Sequence, residues 1–322
     1  MSLEPVQPIT LAEVRRARER IAGTVLRTPL VRLELGKGAP DIRLKLENLQ
    51  PINAYKLRGA ANAIGMLPAD ERRRGVWTIS AGNAGQGVAY AAARVGVPST
   101  VVAIKTAPQA KLDRMRALGA QLVLVSYEEA WKALEARAYP GVEGTFVHPF
   151  DDHNFIAGNA TVALEILEDE PDAQAIVAAI GGGGLVVGVA SAAKPLKPGI
   201  KVFGAEPETA APAALSFARD APQEFPDWKA SFVDGAGGRS VFPRMWQRMQ
   251  GIVDGSIVVS LEETRRAMRA LAEKSRVIAE GAGALSVAAA LCGKAGAGPI
   301  IAIVSGGNID LEKFSALIAE NA

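Results

Sequence analysis

Four short stretches hold residue types that could do chemistry. The first, Asn53-Ala54-Tyr55-Lys56-Leu57-Arg58-Gly59-Ala60, follows the apolar-charged alternation Ile42-Arg43-Leu44-Lys45-Leu46-Glu47. A lysine just past a predicted strand is usually a solvated loop charge. Held in place and stripped of water, the same amine becomes neutral and able to form an imine with an aldehyde, and a nearby cation such as Arg58 would favour this. The other three stretches are glycine-rich: Ser80-Ala81-Gly82-Asn83-Ala84-Gly85-Gln86, Gly181-Gly182-Gly183-Gly184-Leu185 and Ser305-Gly306-Gly307-Asn308. Each follows a short apolar run that reads as a buried strand.

Gly181 to Gly184 can turn several backbone amides inward in conformations that a β-carbon would obstruct, and Leu185 begins a predicted helix with its positive end facing the turn. That setting suits a phosphate, although a four-glycine turn is also compatible with a flexible hinge. Ser80 to Gly85 likewise joins a strand to a helix. Its amides and hydroxyl suit a carboxylate, with a second phosphate turn as the alternative.

The elements that must position these stretches alternate regularly. A capping box at Thr10-Leu11-Ala12-Glu13 predicts a helix from Leu11 to about Ala22, and a second at Ser260-Leu261-Glu262-Glu263 predicts one to about Ser275. Further helices are expected from Ala60 to Leu67, Gly85 to Val95, Ala107 to Leu118, Glu128 to Ala138, Ile156 to Glu168, Leu185 to Ala193 and Ala282 to Leu291. Strands are expected over 76–79, 99–104, 121–125, 174–180, 201–205 and 299–304, with a less regular, proline-bearing stretch from Pro207 to Phe242. Strand-helix alternation at this spacing predicts an α/β fold with parallel sheets covered by helices, and chemistry at the C-terminal strand ends.

Composition narrows the function. The 322 residues carry 36 Lys+Arg against 34 Asp+Glu, so no global field attracts nucleic acid or an anionic membrane, and the Glu71-Arg72-Arg73-Arg74 run reads as a solvated face. With 49% hydrophobic residues the chain can bury real cores. Cys292 is the sole cysteine, which suits a reducing compartment and reads as a small buried apolar residue. No signal-like segment opens the chain, and no apolar run reaches the roughly 18 to 20 residues of a membrane span. A cytoplasmic protein with a small-molecule site is expected.

In order and spacing, the four stretches resemble the fold type II (β-family) pyridoxal-phosphate enzymes, in the branch of the serine/threonine dehydratases and serine racemases. The resemblance spans most of the chain. It implies a tryptophan synthase β-like architecture with a large domain, residues 1–68 together with 153–322, and a small one, 69–152. The active site would lie in the cleft between them, and a homodimer is implied. Lys56 would carry the pyridoxal 5'-phosphate, in a Lys-x-Arg-Gly-Ala pattern whose preceding positions are here Ala54 and Tyr55. The resemblance places the cofactor phosphate on Gly181, Gly182, Gly183, Gly184 and Leu185, and Ser305 at the pyridine nitrogen. Asn83 would lie near the phenolic oxygen, with Tyr55, Gly235 and Glu280 beside the cofactor. Ser80, Ala81, Gly82, Asn83 and Ala84 would hold the substrate carboxylate.

Two departures from the family pattern bear on function. Racemases carry a serine where this chain has Ala81, which cannot return a proton from the second face. Many relatives bind a cation through a glutamate, a carbonyl and an acidic or serine residue six positions beyond the glutamate. Glu206 and Ala210 match, but Pro212 replaces the last ligand, so at most a weakly held monovalent or divalent cation is expected. His148 and His153 lack metal-ligand spacing and read as structural. The resemblance therefore implies β-elimination of an L-β-hydroxy amino acid, such as L-threonine or L-serine, to a 2-keto acid and ammonia. Ala84 and Trp131 stand where polar residues occur in racemase-like relatives, which leaves room for a bulkier, phenylserine-like substrate, with simple packing the other reading of Trp131. Serine racemase, a β-replacement synthase and a non-catalytic binding module of the same fold are the rival functions.

Overall fold

The computed structural model describes residues 4–319. Its strands are β1 (Leu30–Arg32), β2 (Ile42–Lys45), β3 (Val76–Ile79), β4 (Ser99–Ile104), β5 (Gln121–Val125), β6 (Thr145–Phe146), β7 (Ala175–Ala179), β8 (Lys201–Pro207), β9 (Gly255–Val259) and β10 (Ile300–Ile303). They build a six-stranded sheet in the order β1-β2-β10-β7-β8-β9 and a four-stranded sheet in the order β5-β4-β3-β6. Neighbours run parallel except β1 against β2. β3, β7 and β10 are buried along their whole length, as parallel strands covered on both faces must be.

Helices cover both faces of the larger sheet. Helices Leu11–Ile21, His153–Asp169 and Gly184–Leu196 share one core with Ile176, Ala178, Ile301 and Ile303. On the other face Leu261–Ser275 and Gly281–Leu291 pack on Val177, Ala205 and Ile300. Helices Asn83–Arg94, Gln109–Ala117 and Tyr127–Ala136 cover the smaller sheet. Helix Lys56–Met66 lies between the two assemblies, sharing a cluster in which Leu57 and Ile64 meet Val88, Val147 and Phe155. Both capping boxes form as expected. Among the described residues no helix is long and apolar enough to cross a membrane.

Some elements differ from expectation. The stretch from Pro207 to Phe242 contains the helix Pro212–Arg219, for which a proline at the first helical position is well suited. β1, β9 and helix Leu311–Ala319 also lie outside the expected elements. Cys292 is half-buried, its Sγ 3.1 Å from the Ala289 carbonyl in the last turn of a helix.

The alternation in β2 does not send its charges to solvent. Lys45, Glu47 and Arg58 are fully buried, together with Glu165. Arg58 donates to Glu47 at 2.8 Å and to Glu165 at 2.6 Å, and Lys45 donates to Glu165 and to the Thr28 carbonyl, both at 2.6 Å. Thr28 donates to Glu47 at 2.6 Å. Burial opposes the Glu47 charge, yet Arg58, Thr28 and Lys45 together hold its pKa below the ordinary value. Two cations and two carboxylates thus balance where none meets water.

Glu165→Ala is expected to destabilise the protein by about 3–5 kcal/mol in urea unfolding, because it strands a buried cation. Glu168→Ala, at a half-exposed ion pair with Arg18 and Arg27, should cost no more than about 1 kcal/mol. Equal losses would contradict the cluster's role.

Candidate active site

Helix Lys56–Met66 begins at Lys56 and not at Ala60, so the lysine stands in the first turn and not in a loop. Asn53, with φ 55°, and Tyr55, already in helical conformation, turn the chain into it. The Lys56 Nζ donates to the Pro149 carbonyl at 2.6 Å and lies 5.2 Å from the Tyr55 ring and 5.4 Å from the Phe155 ring. Burial lowers its pKa from 10.5 to about 7. Arg58 is not the cause that the sequence suggests: two residues on along a helix it points elsewhere, and Glu47 and Glu165 absorb its charge.

The carbonyl facing Lys56 belongs to a braced turn. The His148 Nδ1 accepts from the amides of Phe150 at 3.3 Å and Asp151 at 3.0 Å, the structural role expected of this histidine. Burial, then the charges of Arg137, Lys56 and Arg244, keep the imidazole neutral by lowering its pKa well below 6.5. Asp151, also buried, pairs with Arg137, Arg244 and Arg248. His153, by contrast, sits 2.9 Å from Glu13, and among the described residues no three acidic, histidine or cysteine side chains form a metal cluster.

The quadruple-glycine turn connects β7 to helix Gly184–Leu196, as read from sequence. A β-carbon on Gly182 would lie 2.1 Å from the Phe150 ring, and one on Gly183, whose φ is +88°, would lie 2.1 Å from the Met249 methyl. Side chains are thus excluded there, and the amides of the first helical turn have no partners within the helix. Leu185 is buried just beyond. Gly235 closes over the turn, its carbonyl 3.1 Å from where a Gly181 β-carbon would be.

The Ser80 turn leads from β3 into helix Asn83–Arg94, with Gly82 at the cap and its amide donating to the Ser80 Oγ at 3.1 Å. Ala84 is buried, and Ala81 packs on the apolar cluster of Ala89, Val101 and Leu112. This helix approaches Lys56 closely, since a β-carbon on Gly87 would lie 3.1 Å from the Lys56 carbonyl. The last turn arrives from a third direction: the Tyr55 amide donates to the Ser305 carbonyl at 3.0 Å, and Ala54 bridges Gly306. Ser305 is buried, its Oγ donating weakly to the Ala282 carbonyl at 3.3 Å.

Asn83 joins these parts. Its amide donates to Glu280 at 2.6 Å and accepts from Asn308 at 2.7 Å. Glu280 is buried, its Oε2 has no partner, and its pKa is raised to about 7 by burial and then by Asp234. Tyr55 is pushed above its ordinary pKa by burial and by Glu280. Sequence reasoning missed Asn308, Phe150 and the Pro149 carbonyl. Asn308 was visible within the last glycine stretch, whereas the other two carry no local signal.

Two expected groups lie apart from this cluster. Trp131 bonds to Glu135 at 2.9 Å and packs edge-on to Phe242 at 5.5 Å, which in turn meets Phe150 at 5.4 Å. Glu206 and Ala210 are buried at and beyond the end of β8, and the Glu206 oxygens already accept from the Ala213 and Ala214 amides and the Ser256 hydroxyl.

A half-buried lysine at the head of a helix packed against both assemblies, with a glycine-only turn after β7, defines a class. The chain belongs to the family described as pyridoxal-phosphate dependent enzyme, whose model matches residues 21–306. Within it, the chain is 39% identical to an L-threonine ammonia-lyase of Thermotoga maritima over 96% of this chain and 78% of that protein. It is 34% identical to a catabolic L-threonine dehydratase of Staphylococcus aureus over 99% and 94%. Among solved structures, maize serine racemase matches with a TM-score of 0.87 and 31% identity over 98% of both chains. The processed threonine deaminase isoform 2 of Solanum lycopersicum matches at 0.84 and 31%, over 99% and 96%.

The residues present fit the cofactor that this family uses. A phosphate needs a turn free of β-carbons, and an aldehyde needs a neutral amine. Gly181 to Gly184 and Lys56 supply them. In cofactor-free protein, amine-directed labelling of Lys56 followed by mass spectrometry should rise with pH about a midpoint near 7, not near 10.5. The folded pKa lies below the unfolded one, so this group adds stability as pH climbs from about 7 towards 10.5. Lys56→Met should remove that rise from the Tm-against-pH profile of the cofactor-free protein. A midpoint near 10.5, or a rise that persists in the variant, would contradict the burial of the amine.

Proposed function

We propose that this protein is a pyridoxal-phosphate dependent ammonia-lyase that dehydrates and deaminates an L-β-hydroxy amino acid, L-threonine or L-serine, to a 2-keto acid and ammonia. The observation that carries this reading is the half-buried amine of Lys56, whose pKa burial lowers to about 7, at the head of a helix packed on both assemblies, together with a turn after β7 that excludes side chains. The names of the relatives, threonine ammonia-lyase and threonine dehydratase, support it.

When bound, the cofactor supplies an aldehyde that captures amino groups and a ring that accepts electrons from the substrate Cα. Gly181 to Gly184 and the Leu185 amide hold its phosphate at the positive end of a helix. The Ser305 hydroxyl would face the pyridine nitrogen, and a neutral partner there would leave that nitrogen largely unprotonated, which would favour prompt loss of a leaving group. Asn83 would serve the phenolic oxygen, while Tyr55, Gly235 and Glu280 would line the cofactor. Ser80 and the amides of Ala81 to Ala84 hold the substrate carboxylate. Lys56 Nζ would take the α-proton, the Cβ–O bond would break, and one proton would return to the departing hydroxyl so that it leaves as water. The released enamine takes up water to give the keto acid and ammonia.

Only one base is required for this outcome. Ala81 packs among apolar side chains and carries no proton, which disfavours racemisation by a two-base route. Phe150, whose ring lies against Gly182, gives the glycine turn an apolar neighbour that suits an uncharged β-substituent, phenylserine included, and Trp131 backs it only at a distance, through Phe242. The two sheets support a division into a large domain, 1–68 with 153–322, and a small one, 69–152, with the site in the cleft. Helix Lys56–Met66, packed on both, would be the joint. A homodimer acting in the reducing cytoplasm completes the reading, the latter supported by the single cysteine.

Lys56→Ala should lower keto-acid formation by about a thousandfold or more and abolish the visible absorbance of the lysine-bound cofactor. Retention of both would refute the assignment. Across threonine, serine, phenylserine and β-hydroxyaspartate, the last should be the poorest substrate, and chiral chromatography should find no D-serine. β-Hydroxyaspartate as best substrate would overturn the preference for an uncharged β-substituent, and D-serine would favour a racemase.

A further inference from the structure

Glu206, at the end of β8, is fully buried yet has a complete set of hydrogen-bond donors. Its Oε1 accepts from the Ala213 amide at 2.9 Å, and its Oε2 accepts from the Ala214 amide and the Ser256 hydroxyl, both at 2.8 Å. The amides belong to the first turn of helix Pro212–Arg219, and Ser256 lies on the neighbouring strand β9. A hard cation needs several oxygen ligands with lone pairs turned towards it. Here N–H and O–H hydrogens converge on the carboxylate instead, and the positive end of a helix faces its oxygens, which disfavours a cation beside them. Pro212, where relatives of this family carry an oxygen ligand, offers neither a side-chain oxygen nor an amide hydrogen. The residues therefore do not fit the cation that the family pattern implies.

We propose that the helix Pro212–Arg219 and Ser256 take the place of a metal ion at Glu206, so that this carboxylate is a positioning residue and the enzyme neither binds nor requires a cation there. What Glu206 positions is the segment between β8 and the helix. Within it, Ala210 backs Gly237, where a β-carbon would lie 2.8 Å from the Ala210 Cβ and 3.0 Å from its carbonyl oxygen. The Gly237 amide in turn donates to the Ile180 carbonyl at 2.9 Å, immediately before the quadruple-glycine turn. A shift at Glu206 thus passes through Ala210 and Gly237 to the turn that receives the cofactor phosphate. Burial opposes the charge and raises the Glu206 pKa to about 7, against the pull of the three donors. With three donors already on its two oxygens, the carboxylate has little lone-pair capacity left for an ion.

The inference rests on the cofactor site described above, but its first test does not need catalysis. Holoenzyme dialysed against a chelator is titrated with Mg²⁺, Ca²⁺, Mn²⁺ and K⁺ while Tm and binding heat are recorded. No saturable Tm rise and no heat are expected. A saturable rise with any of these ions that Glu206→Gln abolishes would overturn the proposal, whatever the substrate proves to be. The second test reads cofactor affinity by absorbance titration. Glu206→Gln and the milder Ser256→Ala, which leaves both amide bonds, should each weaken cofactor binding, by about fivefold or more for the first. Unchanged affinity in both variants would overturn the positioning role, and if Glu206→Gln does not fold, loss of a saturable ion-dependent rise in Ser256→Ala would overturn the proposal in its place.

Discussion

A buried ion cluster behind Lys56 is the constraint on which the rest of the site depends. Arg58 shares the helix of Lys56 and is held by Glu47 next to β2 and by Glu165 on helix His153–Asp169, while Lys45 completes the balance. Because all four groups are out of water, none can move without leaving another uncompensated. The start of the helix is therefore fixed against both the sheet and the neighbouring helix. Close backbone contact adds to this, since a β-carbon on Gly158 would lie 2.3 Å from the Arg58 carbonyl. With its helix immobile, Lys56 can be half-enclosed by Tyr55 and Phe155 and still lose its charge to burial, with one carbonyl as its hydrogen-bond partner.

Around that amine the fold brings strand ends together. Parallel sheets direct all their C-terminal ends, and the helix N-termini that follow, towards one edge. β3 delivers Asn83–Arg94, β7 delivers Gly184–Leu196 and β10 delivers the Ser305 turn. Glycines let these turns approach one another and Lys56. Asn83, bonded to both Glu280 and Asn308, fastens the smaller sheet's turn to two segments of the larger assembly. The unpaired Glu280 Oε2 marks where polar capacity remains inside this cluster.

Much of this was legible in the sequence because its causes are local. Glycine runs after apolar strands, capping boxes and strand-helix alternation follow from the conformational freedom of single residues and from short-range hydrogen bonds. They located the turns at Ser80, Gly181 and Ser305. What was not legible depends on partners distant in the chain. The apolar-charged alternation from Ile42 to Glu47 does not reveal that residues 28, 58 and 165 turn Lys45 and Glu47 into a buried network. Arg58 was assigned to the wrong neighbour because chain proximity conceals the direction a helical side chain takes. The Pro149 carbonyl, braced by His148 and Asp151, has no sequence signature, since any residue would supply the oxygen. At Glu206 the acidic residue and Pro212 were both visible, but the donors supplied by the helix and by β9 were not.

The most direct test of the central claim is to find the nitrogen that carries the cofactor. Holoenzyme is reduced with borohydride to make the link permanent, digested, and the modified peptide sequenced by mass spectrometry. The account predicts one phosphopyridoxyl group per chain, attached to Lys56. Attachment to Lys45, Lys111 or another lysine, or no attachment in protein that still forms keto acid, would contradict it.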